Sequence, residues 1–415
     1  MKILIKNACN TYNYGSMMMC ENIIKELIKR INNITFFIDN ATNDNIERLK
    51  KATEYNEISS ANLYKENYKL KRFFLAKVER KLKYDIYQYK IIKNAKKYDS
   101  ILVLGGDDYA ETYDDKKYAL KMLKQLNKLN KKTNLIMIGQ TIGPYTEKRK
   151  EYAKKLFPRI KLYTRDDISS QYIIKELNAK PYISRDLAWL DLQLQCKYEQ
   201  NYNDILSKYE LENNQYIVIV GTGLAKWYSN NEENFYANFI KIIANIKIKY
   251  PTKKVVWLSH VTTPKPALSD NTMLDSINLK HNNYINNNLI VIKEQILPAE
   301  ARIILGHAHF TLTCRMHAAV SSFQMGKPAI CLSYSSKYKG VIADGLKMPD
   351  LVVEAKNDKL WEKDIAKIVL KKVEFLENNY DKLKKEIIVN VNNCKAIVST
   401  TLNEIAKDIE NKKEK

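Results

Sequence analysis

Short apolar runs alternate with longer amphipathic segments along most of the chain. The apolar runs are rich in Ile, Leu and Val and stop at Gly, Asp, Asn or Pro, which predicts strands. The longer segments carry apolar residues at helical spacing; in residues 14–30, for example, Ile24 and Ile28 share one face. Strands that alternate with helices form mostly parallel, helix-covered sheets. The pattern therefore predicts an α/β protein.

The predicted elements fall into two groups along the chain. In the first half, the predicted strands are 2–7, 34–38, 100–104, 134–139, 161–165 and 181–183. The predicted helices of that half are 14–30, 45–98, 116–129 and 168–177. In the second half, the predicted strands are 216–220, 255–260, 289–293, 310–314 and 328–332. The polar, Asn-rich residues 269–288 lie between two of these strands, and we expect a surface loop or a lid there.

A chain of 415 residues is too long for one ordinary core, because domains usually hold ~100–200 residues. The polar segment 196–214 lacks a strand pattern and marks the predicted junction. We predict a Rossmann-like domain at 1–195, a second at 214–375, and a helical tail at 376–415 whose last helix crosses back onto the first domain. The two domains are expected to face each other across a cleft.

The formal net charge of +22 favours anionic partners. No basic block carries stacking aromatics in a nucleic-acid-binding module, so we expect no nucleic-acid partner. Met1 leads directly into a strand without a signal peptide, no apolar run approaches the ~18 residues of a membrane span, and the six Cys are scattered as free thiols would be. We expect a cytoplasmic protein, and its charge admits peripheral contact with the inner face of the membrane.

The candidate chemistry is concentrated in one strand-turn-helix segment. The predicted strand 310–314 ends at Arg315 and His317, and a helix of small and apolar residues follows. Open α/β sheets bind ligands at the carboxyl ends of their strands, and a helix N-terminus adds N–H donors. Arg315 offers a two-pronged contact to a carboxylate or phosphate, and His317 can move a proton. The segment predicts a site for a small anionic molecule.

Two other groups of residues contain types that hold a metal or a dinucleotide cofactor. His307, His309, Cys314 and His317 are zinc-ligand types, but their spacing straddles a helix end and a strand, unlike compact structural sites. Residues 221–223 (Gly-Thr-Gly) follow a strand but lack the third Gly of a dinucleotide fingerprint. We therefore expect neither a metal nor a cofactor.

Several spaced segments together resemble the polysaccharide pyruvyl transferase family. The first three are Asn13-Tyr14-Gly15, Gly105-Gly106-Asp107-Asp108-Tyr109 and Gly139-Gln140-Thr141-Ile142-Gly143-Pro144. The others are Arg165-Asp166, Cys314-Arg315-Met316-His317, and Gly326-Lys327-Pro328 running to Tyr334-Ser335-Ser336-Lys337-Tyr338-Lys339-Gly340. The resemblance implies two GT-B-like domains, acceptor-side and donor-binding in that order. It also implies transfer of an enolpyruvyl-derived group from phosphoenolpyruvate, as co-substrate, onto a sugar diol, giving a cyclic ketal and phosphate.

The resemblance also implies roles for individual residues. The family's Arg-x-His motif matches Arg315 and His317, which makes His317 the candidate acid. The cations that would hold phosphoenolpyruvate are those in turns: Arg315, Lys226, Lys337 and Lys339. Asp107 or Asp108 would deprotonate the attacking hydroxyl. The acceptor, a sugar or lipid-linked glycan, would contact Tyr12, Asn13, Tyr14 and Gln140, with the two Tyr rings stacking under the sugar.

Simpler interpretations stay open for several of these residues. Asp107 and Asp108 would equally cap the following helix, and Lys337 and Lys339 would equally be solvated surface charges. A nucleotide-sugar glycosyltransferase on the same scaffold is the alternative enzyme. A non-catalytic glycan- or membrane-binding protein is the alternative of another class, although the intact Arg315–His317 pair favours an enzyme.

Overall fold

The computed structural model describes residues 1–61, 86–110, 116–264 and 268–412. The chain divides into two compact units. Unit 1 holds the described residues of Met1–Asn10, Ile23–Ser184 and Thr400–Lys415, and unit 2 holds those of Thr11–Asn22 and Arg185–Ser399. The predicted domain limits stay a prediction.

Unit 1 is built on a parallel sheet. Its strands are β1 (Lys2–Lys6), β2 (Thr35–Ile38), β3 (Ile58–Ser60), β4 (Ser100–Tyr109), β5 (Asn134–Ile142), β6 (Lys161–Thr164) and β7 (Tyr182–Ile183). They lie in the order β3-β2-β1-β4-β5-β6-β7, and every pairing is parallel. This order begins as the dinucleotide-fold order does, with the first strand in the interior.

The helices of the first half are α1 (Tyr14–Ile28), α2 (Asn43–Thr53), α3 (residues 86–93), α4 (Lys116–Asn130), α5 (Glu147–Leu156) and α6 (Asp167–Leu177). Their apolar faces cover the sheet; Leu123, Leu126 and Leu129 of α4, for instance, join the core of unit 1. Helix α2 shows how sequence sets a boundary. At its N-terminus, the side chain of Thr42 accepts from the backbone N–H of Asn45, and the side chain of Asn45 accepts from the backbone N–H of Thr42. At its C-terminus, Glu54 adopts the left-handed conformation and ends the helix.

Unit 2 repeats the same plan. Its strands are β8 (Tyr216–Val220), β9 (Lys254–Leu258), β10 (Ile290–Ile292), β11 (Thr311–Thr313), β12 (Ala329–Ser333) and β13 (Val352–Glu354). They are parallel, in the order β10-β9-β8-β11-β12-β13. The prediction of two Rossmann-like, GT-B-like α/β domains is confirmed.

The helices of the second half begin with two short ones in the segment predicted as a junction. They are α7 (Gln195–Gln200), α8 (Tyr202–Ser207), α9 (Glu232–Lys249), α10 (Asp270–Lys280), α11 (Tyr284–Asn288), α12 (Pro298–Gly306), α13 (Met316–Gln324), α14 (Ser336–Tyr338), α15 (Ile365–Asn378) and α16 (Tyr380–Asn411). Helix α16 begins in unit 2, and its residues from Thr400 onward belong to unit 1.

Three predictions about local structure are wrong. Residues 269–288 are two helices rather than a loop or lid, because Ser269 caps α10 and Met273, Leu274 and Ile277 give it a buried face. Strands β4 and β5 run through the glycines that were expected to end them. The predicted helix 45–98 is interrupted by β3, and its residues 62–85 lie outside the described residues.

Candidate active site

The candidate site lies where the sheet of unit 2 reverses its strand order. Strand β8 pairs with β9 on one side and with β11 on the other, so the chain connections leave in opposite directions from this point. Ligands of open α/β sheets bind outside the carboxyl ends of the strands at such a switch point. Arg315 and His317 follow β11 directly, and α13 begins at Met316. The predicted strand-turn-helix segment is confirmed.

Arg315 is held by a buried carboxylate. Its Nε and Nη2 atoms donate to Oδ1 of Asp270 at 2.8 and 2.6 Å, and Nη2 also donates to the carbonyl oxygen of Leu268 at 3.2 Å. Asp270 is completely buried, whereas the side chain of Arg315 is 13% exposed. The Nη1 atom has no hydrogen-bond partner within the described part of the chain. The guanidinium is therefore fixed on one edge while its other edge is left for a ligand.

Asp270 also connects the ends of two further strands. Oδ2 accepts from the backbone N–H groups of His260 (3.0 Å) and Val261 (2.8 Å), which follow β9, and Oδ1 accepts from Gly223 (3.3 Å), which follows β8. Burial raises the pKa of Asp270, and the charge of Arg315 offsets part of that rise. Burial alone would lower the pKa of Arg315, but Asp270 outweighs it and raises that pKa. Each member of the pair therefore stabilises the charged form of the other.

His317 has a carboxylate partner of its own. Its Nε2 lies 3.3 Å from Oδ1 and 3.2 Å from Oδ2 of Asp186, which is completely buried. The imidazole packs against Gly15 at the start of α1, where an added Cβ would overlap Nδ1. A glycine is required at this position because the ring approaches the backbone so closely.

The segment around Asn13 runs alongside the same edge of the sheet. Asn13 forms an antiparallel bridge with Val261, and the N–H of Thr262 donates to the carbonyl oxygen of Tyr12 at 2.9 Å. The Asn13 side-chain oxygen accepts from the backbone of Gly15 at 3.1 Å and so begins α1. Two predicted acceptor residues, Tyr12 and Asn13, thus belong to the same unit as Arg315 and His317.

The expectation that Tyr14 stacks under a sugar is not supported. Its ring is completely buried in the core of unit 2, tilted against His260 with 5.2 Å between ring centroids. Its hydroxyl donates to the carbonyl oxygen of Glu294 at 3.1 Å. The polar turn before Tyr14 favours an exposed ring, but Tyr14 is the first residue of α1 and lies on the buried face of that helix.

A family model named polysaccharide pyruvyl transferase matches residues 13–336, a range that includes the Asn13 segment and the Arg315–His317 turn. The chain belongs to the polysaccharide pyruvyl transferase family. Its resemblance to that family is thereby confirmed. It is also similar to the amylovoran biosynthesis protein AmsJ of Erwinia amylovora, with 25% identity over 300 residues, 70% of this chain and 68% of that protein.

Solved structures share the fold of this pyruvyl transferase family member. UDP-GlcNAc 2-epimerase from Rickettsia bellii has a TM-score of 0.63 at 12% identity, covering 99% of this chain and 96% of that one. The Neisseria meningitidis UDP-GlcNAc 2-epimerase, bound to UDP-GlcNAc, has a TM-score of 0.60 at 14% identity, covering 99% and 100%. At these identities the likeness establishes the fold and nothing about ligands.

The three predicted lysines of the pyruvyl transferase site differ in their surroundings. Lys337 donates to the hydroxyl of Tyr334 at 2.6 Å and lies 4.6 Å from the centre of that ring. Lys226 is 81% exposed, 4.0 Å from Glu232, and Lys339 is exposed. Their contact with phosphoenolpyruvate stays a prediction, as it does for Arg315.

The remaining predicted site residues belong to unit 1. Asp107 and Asp108 lie within β4 rather than at the start of a helix, so they do not cap one, and Asn7 donates to Asp108 at 3.4 Å. Gln140 is completely buried in β5, where its Nε2 donates to the carbonyl oxygens of Val103 and Leu104, both at 2.9 Å. Gln140 therefore stabilises the pairing of β4 and β5, and its burial does not support a contact with the acceptor sugar. The predicted role of Asp107 or Asp108 as base stays a prediction.

The histidines near the site that are of a zinc-ligand type each have a different partner. His307 contacts Glu199 at 3.1 Å, and His309 contacts Glu377 at 2.8 Å. Across the described residues, no group of three or more His, Cys, Asp or Glu side chains is placed to hold a metal ion. No helix within the same ranges is long and apolar enough to cross a membrane.

Two central residues of the site were missed by sequence reasoning. Asp270 lies 45 positions from Arg315, and Asp186 lies 131 positions from His317. The one usable signal for Asp186 is that an acidic residue follows shortly after strand β7. Asp270 lies in the segment 269–288, for which the sequence predicts a surface loop or a lid.

Proposed function

We propose that this pyruvyl transferase family member moves the enolpyruvyl-derived group of phosphoenolpyruvate onto two hydroxyls of one sugar, releasing phosphate. The sugar would belong to a cell-surface polysaccharide or its lipid-linked precursor, and no other cofactor takes part. The observation that carries the proposal is the pairing of Arg315 and His317 at the switch point of unit 2, each backed by a completely buried carboxylate.

Arg315 suits the anionic donor. Its Nη1 edge has no partner among the described residues, while Asp270 fixes the opposite edge of the planar group. A guanidinium held in this way binds a carboxylate or phosphate with little loss of side-chain entropy. The N-terminus of α13 adds backbone N–H groups next to it, as anion sites in α/β proteins commonly do.

His317 suits the proton transfer that the reaction needs. A proton passes from the imidazolium to the methylene carbon of phosphoenolpyruvate while a sugar hydroxyl forms a bond to the central carbon. Phosphate then leaves with the electrons of its C–O bond, and the second hydroxyl closes the ketal. Of the two hydroxyl protons, one restores His317 and the other leaves with phosphate. Acid–base assistance of this kind is worth about 10²–10⁴-fold in rate.

The remaining residues complete the proposal. Lys226, Lys337 and Lys339 would add positive charge around the donor, and Asp107 or Asp108 would deprotonate the acceptor. Tyr12 and Asn13 would contact the sugar. The name of the relative AmsJ, an amylovoran biosynthesis protein, supports an acceptor in polysaccharide biosynthesis. A cytoplasmic location with peripheral membrane contact fits the net charge of +22.

Acceptor-dependent phosphate release from phosphoenolpyruvate tests the proposal. A panel of nucleotide-linked and lipid-linked sugars is offered to the wild type, to His317→Ala and to His281→Ala. The control removes His281, a histidine of the same unit. It directly follows α10, and its Nε2 lies 3.3 Å from Glu233. We expect turnover by the wild type and the control, and a loss of about 10²–10⁴-fold for His317→Ala with donor binding retained.

The same panel separates the alternatives. A glycosyltransferase would be stabilised thermally by nucleotide diphosphates and not by phosphoenolpyruvate. A glycan-binding protein would bind sugars without releasing phosphate. Near-normal turnover by His317→Ala would remove His317 as the acid.

A further inference from the structure

The structure gives His317 a partner that the Arg-x-His motif does not include. Asp186 is completely buried, and both of its carboxylate oxygens lie within 3.3 Å of Nε2 of His317. Side-chain carboxylates that hold one ring nitrogen of a histidine determine which nitrogen carries the mobile proton. The contact between Asp186 and His317 therefore affects which ring nitrogen can transfer a proton, as well as how the ring packs.

Asp186 is itself held in place. It begins a short 3-10 turn, Leu187–Trp189, and its Oδ1 accepts from the backbone N–H of Ala188 at 3.0 Å. The completely buried Arg302 donates to the carbonyl oxygens of Ala188 at 2.7 Å and Leu190 at 2.9 Å. These contacts fix the carboxylate before any ligand binds.

Gly15 restrains the ring from its other side. An added Cβ at this glycine would overlap Nδ1, Cγ and Cβ of His317, so the imidazole lies directly on the backbone of α1. Asp186 at Nε2 and the backbone of Gly15 close to Nδ1 together restrain the ring. When Nε2–H donates to the carboxylate, Nδ1 is the nitrogen that gains and loses a proton.

We propose that Asp186 is the positioning residue of His317, holding Nε2–H so that Nδ1 delivers the proton to the methylene carbon of the donor. The inference rests on the proposed function for its chemical step. In that step the Nδ1–H bond breaks as the new C–H bond forms, and the imidazolium becomes a neutral imidazole with its hydrogen on Nε2. Asp186 stays ionised and accepts no proton, as the buried aspartate of a Ser-His-Asp triad does.

Asp186→Asn separates this role from a purely structural one. The amide keeps an oxygen to accept from Ala188 but presents an NH₂ group to Nε2, which forces the ring hydrogen onto Nδ1. The matched control is Asp191→Asn, since Asp191 belongs to the same stretch of chain and pairs with Lys395 at the surface. A structural role for Asp186 would lower stability without changing the tautomer of His317.

Kinetics of phosphoenolpyruvate-dependent phosphate release give the first measurement. For Asp186→Asn we expect kcat to fall about 10²–10⁴-fold while KM for phosphoenolpyruvate changes little. The double variant with His317→Ala should be no slower than His317→Ala alone, because Asp186 acts through His317. A near-normal kcat for Asp186→Asn, or additive losses in the double variant, would overturn the proposal.

Nitrogen NMR of the protein labelled in its five histidines gives a measurement that needs no acceptor. At a pH where the ring is neutral, His317 should carry its hydrogen on Nε2 in the wild type and in Asp191→Asn, and on Nδ1 in Asp186→Asn. An Nδ1–H tautomer in the wild type would refute the positioning role. If the wild type releases no phosphate with any sugar, the proposed function fails, while the tautomer still decides the role of Asp186.

Discussion

Replacing Arg315 by alanine should destabilise unit 2 by an amount that the geometry predicts. Asp270 accepts five hydrogen bonds, two of them from Arg315 and three from the backbone of Gly223, His260 and Val261. Arg315→Ala removes two charge-assisted bonds and leaves a completely buried carboxylate without its counter-ion. Breaking a buried pair in this way costs about 3–5 kcal/mol of the free energy of unfolding.

The loss should depend on pH with a definite sign. Burial raises the pKa of Asp270, and without Arg315 the main contribution that offsets this rise is lost, leaving the backbone hydrogen bonds from Val261 and His260. The folded pKa then lies above the unfolded value of about 3.9, so the folded state binds more protons between the two values. Stability in that window falls as pH rises and is regained as pH falls. The deficit of Arg315→Ala should therefore be smaller at pH 5.5 than at pH 7.5.

Tryptophan fluorescence during urea unfolding measures this deficit in unit 2 alone. All four tryptophans, Trp189, Trp227, Trp257 and Trp361, belong to unit 2. The matched control is Lys280→Ala, which breaks the exposed pair with Glu233 at 2.9 Å and should cost little, because solvent screens exposed ion pairs. A cost for Arg315→Ala as small as that of the control, or a larger deficit at pH 5.5, would refute the reasoning.

Two further substitutions test the contacts of α1. Gly15→Ala should displace the ring of His317 and lower kcat for phosphate release at least tenfold with modest loss of stability; wild-type kcat would show that the ring moves aside freely. Tyr14→Phe removes the hydrogen bond to Glu294, so it should cost about 0.5–1.5 kcal/mol by urea unfolding and leave KM for the acceptor unchanged, whereas a raised KM would restore the stacking role.

The sequence predicted those parts of the site that neighbouring residues determine. Arg315 and His317 share one turn, so the strand, the turn and the helix that place them were visible in a few residues. Asp270 is brought to that turn by the topology of the sheet, because the carboxyl ends of β8, β9 and β11 meet at one edge, whereas Asp186 caps the 3-10 turn Leu187–Trp189. A contact across 131 positions leaves no local pattern to find.

Tertiary packing overrode local propensity elsewhere. Helix α10 has an Asn-rich, polar sequence, but three apolar side chains on one face pack into unit 2 and stabilise it. Gln140 follows Gly139 in what was expected to be a turn, yet β5 continues because its neighbours β4 and β6 supply backbone partners there. Gly is therefore an unreliable sign of a strand's end where the strand is already paired on both sides.

The charge of the site explains why one arginine is not enough for the proposed donor. Arg315 and Asp270 together are neutral, so Arg315 contributes directional hydrogen bonds and little net charge. Phosphoenolpyruvate carries a phosphate and a carboxylate, whose charges need cations without a carboxylate partner. Lys226, Lys337 and Lys339 are the cations proposed to supply that charge, and the Nζ of Lys337 contacts the hydroxyl and ring of Tyr334. Under the proposed function, Arg315 would set the geometry of the donor and the lysines would supply the charge.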